Sequence, residues 1–414
     1  MGHPLKKHIN NQILFQSLAK KFGTPLYVYD KNQLVSNIKS IDGSLKKHFE
    51  KYHICYTIKA NNNPNIINAL KSNISDLGAD CSSPGELHAA KLGGISNNNC
   101  IYTGNYESEE DLRIALESGA NINLDDVTSF HRLRKIGMPK EISFRLNPGF
   151  GKGAFKGITT GGEDSKFGIP KEKILQAYKT AKNSGVRSFG IQCMTGSGVL
   201  DSYFYPKLIS AILKTVNHIS RELKIKFRYI SMGGGFGIPY EDHQKTLDLD
   251  TVFEKVSNIF NSNFESDIPE FWIEPGRSVV GNAGILLSKV TAKKNSYKSF
   301  IGLDAGMETL MRPALYGASH RIYKLGSPNP VNTKKFDFTG RICENTDRLG
   351  TNICFPDVNE GELILIMDVG AYGFTMSHQF CGRPKAAEVM LADGKAKLIR
   401  RRESIEDLFH NCIL

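Results

Sequence analysis

The sequence predicts an α/β protein, a (β/α)₈ TIM-like barrel followed by a C-terminal β domain. Eight short strand-like runs alternate with helix-like stretches as far as residue 275, the alternation of a closed parallel sheet wrapped in helices. Beyond residue 275 the helical period fades and strand-like runs stand between turn-like segments. Polar and glycine-rich residues collect where the barrel runs end, the face on which such barrels keep their chemistry.

Taken in order, residues 1–30 carry the strand-like Pro25-Leu26-Tyr27-Val28-Tyr29 and are assigned as an N-terminal strand joining the β domain. The barrel is placed at 31–275, opening with a helix over 31–47. Its strands are expected at 54–59, 76–80, 100–104, 121–125, 142–147, 189–195, 228–233 and 270–274, and helices at 64–72, 84–92, 107–118, 171–183, 203–223 and 249–261. The β domain, 276–414, has strand-like runs at 300–303, 338–341 and 363–368. The basic run 395–402 alternates in part with apolar residues after Asp393-Gly394 and reads as a solvated strand.

A length of 414 residues suits a barrel plus a second domain, and 40% hydrophobic with 23% charged residues describes an ordinary globular protein. The formal charge of +11 is spread over scattered lysines without an aromatic-interleaved stripe, so no nucleic-acid partner is expected. Eight cysteines without CxxC pairs fit a reducing cytosol and give no metal site. An N-terminus without an apolar core segment, and no run of 18 apolar residues, lead to the expectation of a cytoplasmic protein with no membrane partner.

Lys59, in Tyr56-Thr57-Ile58-Lys59-Ala60-Asn61, ends the first strand; it is either a salt-bridge partner or a Schiff-base nucleophile. The second strand ends in Asp80, the fifth in Arg145, the sixth in Met194-Thr195-Gly196-Ser197-Gly198, the seventh in Gly233-Gly234-Gly235-Phe236-Gly237 and the eighth in Glu274-Pro275-Gly276-Arg277. A glycine run after the seventh strand of a barrel lets backbone amides approach a phosphate, although a plain turn has the same composition. Its place in the strand count argues against a dinucleotide fingerprint, which opens a short βαβ unit. A lysine, a phosphate cradle and a carboxylate on three strand ends suit pyridoxal 5'-phosphate: the lysine carries the cofactor and Glu274 keeps the pyridine nitrogen protonated. Pairing of Glu274 with Arg277 is the alternative for those two residues alone.

These residues resemble the fold type III pyridoxal-phosphate decarboxylases, which share an alanine racemase-like fold, and among them the diaminopimelate decarboxylases. The likeness covers nearly the whole chain. It rests on the Lys59 motif, on Gly78-Ala79-Asp80-Cys81-Ser82-Ser83-Pro84-Gly85-Glu86-Leu87 and on Glu274 to Arg277. In the β domain it rests on Met311-Arg312-Pro313-Ala314-Leu315-Tyr316, Cys343-Glu344-Asn345-Thr346-Asp347 and Gly370-Ala371-Tyr372-Gly373-Phe374.

The resemblance implies a decarboxylase of meso-diaminopimelate that yields L-lysine. It implies that Lys59 holds the cofactor, that Asp80, Arg145 and Met194 surround the lysine and ring, and that Ser197, Gly234, Gly235, Gly276, Arg277 and Tyr372 lie at the phosphate. Arg277, Arg312, Tyr316, Glu344 and Tyr372 would bind substrate. It further implies a homodimer with shared sites, in which Cys343 of the partner subunit protonates the carbanion. For Cys343 alone a buried small residue is the alternative, and for Arg312 and Tyr316 it is packing within the β domain.

Two positions depart from the pattern. Met194 stands where the family has a ring-stacking histidine, and Ser319 where it often has an aromatic residue. A thioether can pack on a ring but cannot titrate. These changes and the positive charge motivate a second expectation, a decarboxylase of D-ornithine, D-lysine or a carrier-bound amino acid. A non-catalytic cofactor carrier would lack the C-terminal β domain, and a racemase would set an arginine rather than Glu274 against the pyridine nitrogen.

Overall fold

The computed structural model describes residues 4–329 and 331–413, in two compact units. One comprises Val35–Ile238 and Lys245–Ser278; the other gathers the N-terminal residues to Leu34, Pro239–Gln244 and the chain from Val279 onward.

The first unit is the barrel. Its eight strands are Tyr52–Thr57, Gly78–Cys81, Cys100–Tyr102, Asn121–Leu124, Glu141–Asn147, Ser188–Cys193, Phe227–Ser231 and Glu270–Ile273. Each lies parallel to its neighbours, the eighth pairs with the first, and the fourth pairs with the fifth to close the ring. A two-residue strand, Ile169–Pro170, adds to the open end of the fifth. The period of two sends alternate side chains inward. In the barrel, Tyr229 donates to Ser143 Oγ (2.9 Å), Ser143 to Asn123 Oδ1 (2.7 Å) and Asn123 to Thr103 Oγ1 (3.2 Å). Tyr229 also stacks on Trp272 with centroids 4.0 Å apart. This layer satisfies its polar groups internally, which keeps the barrel centre closed.

Helices start where the sequence supplies caps. Ser83 accepts from Glu86 N before Pro84–Leu92, with Pro84 at the first helical position. Ser108 and Asp111 form a reciprocal capping box before Glu109–Ser118. A helix over Val127–Ile136, capped by Asp126, is absent from the sequence-based reading, although Val127, Phe130, Leu133 and Ile136 recur at every third position.

The second unit is a nine-stranded mixed sheet. Its main path runs Arg348–Phe355, Lys334–Thr339, Ser299–Leu303, Gly284–Asn295, Leu26–Asp30, Ala387–Ala392, Lys395–Arg400. Leu363–Met367 also pairs with Gly284–Asn295, and Ile322–Lys324 pairs with Leu363–Met367. Leu26–Asp30 thus lies between an antiparallel and a parallel partner, and all five of its residues are buried. The helix Gln12–Phe22, which the sequence reading did not foresee, lays Phe15 and Leu18 on a core of Leu26, Val28, Ile285, Leu287, Leu365 and Val389. Among the described residues no helix is long and apolar enough to cross a membrane.

Candidate active site

The sequence-predicted barrel residues stand on or just after six of the eight strands. Lys59 does not end a strand as expected: the strand stops at Thr57, and Ile58–Ala60 forms a 3₁₀ turn that carries Lys59. Its Nζ lies 2.8 Å from Asp80 Oδ2 and 3.4 Å from Ser82 Oγ, with the side chain 43% exposed. Asp80 is almost fully buried in the second strand, and its Oδ1 has no protein partner among the described residues. Glu86, from the following helix, accepts from Ser82 N at 2.6 Å and thereby fixes the Ser82 turn beside Lys59. Burial pushes the Glu86 carboxyl up.

Glu274 follows the eighth strand and is 4% exposed. Ser231 donates to its Oε1 at 2.6 Å and Gln192 to its Oε2 at 2.7 Å. Burial, then the charge of Asp80, push its carboxyl up to about 7, against the two donors and the Lys59 ammonium. One oxygen is thus held from the seventh strand and the other from the sixth. A further buried oxygen of this cluster, Gln192 Oε1, has no protein partner among the described residues.

The glycine run is laced to its neighbours: Glu274 N donates to Gly233 O (2.9 Å) and Val199 N to Gly235 O (2.9 Å). Gly235 sits at φ +86°, in the left-handed region, and a Cβ there would fall 2.4 Å from Gly196 O. A Cβ on Gly234 would fall 2.0 Å from Glu274 O, and one on Gly276 3.0 Å from the Ala60 Cβ. Arg277, 6% exposed, donates from Nη2 to Ser197 Oγ at 3.1 Å. Met194 packs on the same loop, its sulfur 3.4 Å from Gly234 N.

Arg145 is placed within the fifth strand rather than at its end. It donates to Met194 O at 2.9 Å, stacks over Phe167 at 4.5 Å and lies 3.8 Å from Asp125. Burial pushes the Asp125 carboxyl up and the Arg145 guanidinium down, so desolvation outweighs their loose attraction.

The remaining predicted residues belong to the other unit. Arg312, 1% exposed, opens the short helix Arg312–Tyr316. Tyr316 is half-buried, Ser319 is exposed, and Tyr372 holds φ +57°, in the left-handed region. Cys343 is exposed with a free thiol, which removes the buried-residue alternative. Glu344 is exposed too, and its carboxyl, accepting from Thr346 N at 3.1 Å, is held below the usual range. Asp347 organises this loop from inside, accepting from Met307 N (2.7 Å) and Ile342 N (3.2 Å).

Sequence reasoning gave no role to Ser231, Gln192 or Asp125, and quoted Ser82 and Glu86 only as part of a motif. Ser231 and Gln192 carry no signal of their own, because the positions two and four residues before them in their strands include the equally polar Tyr229 and Ser188.

The barrel residues fit pyridoxal phosphate. Among the described residues Asp80 Oδ1 and Gln192 Oε1 are buried acceptors without a protein partner, Gly234 and Gly235 let the loop pack closely on the backbone of Glu274 and Gly196, and Lys59 is accessible beside Asp80. A barrel with this lysine, carboxylate and glycine loop is a pyridoxal-dependent decarboxylase: residues 35–281 match the pyridoxal-binding domain of that family, and the chain belongs to it. It is similar to the diaminopimelate decarboxylases of Thermoplasma acidophilum (39% identity over 94% of this chain and 93% of that one) and Methanothermobacter thermautotrophicus (36%, 94% and 92%). The crystal structure of the Helicobacter pylori diaminopimelate decarboxylase complexed with L-lysine superposes with a TM-score of 0.87, at 30% identity, over 96% of this chain and 98% of that one.

Proposed function

We propose that this chain removes the carboxylate from the D-centre of meso-diaminopimelate to give L-lysine and carbon dioxide, in the cytoplasm and as a homodimer. The observation that carries the reading is Glu274, a buried carboxyl held by Gln192 and Ser231 in the same barrel as the accessible Lys59 amine. When bound, pyridoxal phosphate supplies an electron sink for the pair left behind as carbon dioxide departs.

Lys59 would hold the cofactor and give it up to the substrate amine, with Asp80 steadying the freed ammonium. Glu274 would hold a proton on the pyridine nitrogen, and Met194 and Arg145 would confine the ring. Ser197, Gly234, Gly235, Gly276, Arg277 and Tyr372 would bind phosphate. Arg277, Arg312, Tyr316, Glu344 and Tyr372 would grip the far end of the substrate, where a carboxylate wants a guanidinium and an ammonium a carboxylate. Cys343 of the partner subunit would return a proton to Cα.

Met194, with its sulfur on the glycine loop, favours a second reading in which the same chemistry acts on D-ornithine, D-lysine or a carrier-bound amino acid. Carbon dioxide release from the loaded enzyme on meso- and L,L-diaminopimelate, D-ornithine, D-lysine and their L-forms decides between them. Turnover confined to the meso compound is expected; silence on it with turnover of another amine moves the function to the second reading.

A further inference from the structure

Arg312 is almost completely buried, yet its guanidinium is not simply packed away. Its Nη1 lies 2.7 Å from His320 Nε2, and its plane lies over the Tyr240 ring at 4.4 Å. An arginine offers only donors, so His320 Nε2 must be the acceptor. The proton of the neutral imidazole then sits on Nδ1, where it donates to Met367 O at 2.8 Å. Backbone pairing fixes that second contact, because Met367 N donates to Arg321 O, the residue next to His320. Tyr240 meets the imidazole edge-on at 5.2 Å, and Arg321 holds its segment by bonds to Pro239 O, Asp242 and Asp368.

We propose that His320 is a positioning residue for Arg312, and that through the guanidinium it sets the preference for ligands with a distal carboxylate. This rests on the assignment of Arg312 to that carboxylate made above. A histidine locked in one tautomer between a strand carbonyl and a guanidinium can hold the arginine in only one orientation. A flexible arginine would keep its charge but lose its aim.

The test is calorimetric binding of L-lysine, which retains the distal carboxylate, and of 1,5-diaminopentane, which lacks it, to the holoenzyme. His320→Gln keeps an acceptor at the Nε2 position; His320→Asn reaches only toward Met367. The wild type should prefer L-lysine, and Arg312→Leu should erase the preference. His320→Asn should shrink it about tenfold through weaker L-lysine binding alone, while His320→Gln should stay within about threefold of wild type. On meso-diaminopimelate His320→Asn should raise KM and leave kcat within about threefold. Preference intact in His320→Asn but erased in Arg312→Leu overturns the positioning role alone, as does equal weakening of both ligands. Preference surviving Arg312→Leu overturns the assignment of Arg312 and the proposal with it.

Discussion

Gln192, on the sixth barrel strand, donates to Glu274 across the one intervening strand, from Nε2 to Oε2 at 2.7 Å, while Ser231 on that seventh strand takes the other oxygen. The carboxyl is thus pinned in orientation yet poorly solvated, and it holds its proton up to about pH 7 against an ordinary value of 4.5. Between those values the unfolded chain is the more ionised state, so this group's contribution to stability falls as pH rises from about 4.5 to about 7 and is flat above. Melting of the cofactor-free wild type should therefore lose ground to Glu274→Gln across that window; a constant difference refutes the assignment. In the loaded enzyme Glu274→Gln should lower kcat by about 10²-fold or more.

Lys59→Ala should abolish the absorbance of the lysine-bound cofactor and lower turnover by more than about 10³-fold. A spectrum indistinguishable from wild type would sink the assignment of Lys59.

Gly235→Ala places a Cβ 2.4 Å from Gly196 O on a residue at φ +86°. The left-handed conformation alone costs about 1–2 kcal/mol. The expected outcome is a lower Tm and about tenfold weaker binding of pyridoxal phosphate, with pyridoxal lacking the phosphate less affected in fluorescence titration. Equal loss for both ligands would dissociate this loop from phosphate binding.

Mixing Lys59→Ala with Cys343→Ala subunits restores, at random exchange, about a quarter of the native sites if each site draws on two protomers. The exposed thiol of Cys343 motivates the experiment. No recovery after exchange has been verified by native mass spectrometry would argue for sites built within one subunit.

The barrel was legible because its signals are local. The helix Pro84–Leu92 lies where the period and proline place it, and Leu249–Asn261 likewise. Lys59 and Glu274 could be picked out by type and strand order alone. Gln192 and Ser231 could not, because an amide or hydroxyl on a strand has no meaning until the barrel closes and shows which carboxyl it faces. The same holds for His320, whose role depends on Met367, 47 positions away. The strands Gly284–Asn295, Arg348–Phe355 and Ala387–Ala392 also escaped notice. Their partners rather than their own residues decide where they begin and stop.

Leu26–Asp30 pairs with residues 284–287 on one side and 387–391 on the other. A ribosome makes this strand long before the second of its neighbours. Until then its five apolar-rich residues have no ladder to join, and closing such long loops is entropically slow. The nascent barrel can begin to assemble while this segment waits. A chain released early, short of Ala387, would leave one side of the strand open for pairing with another molecule.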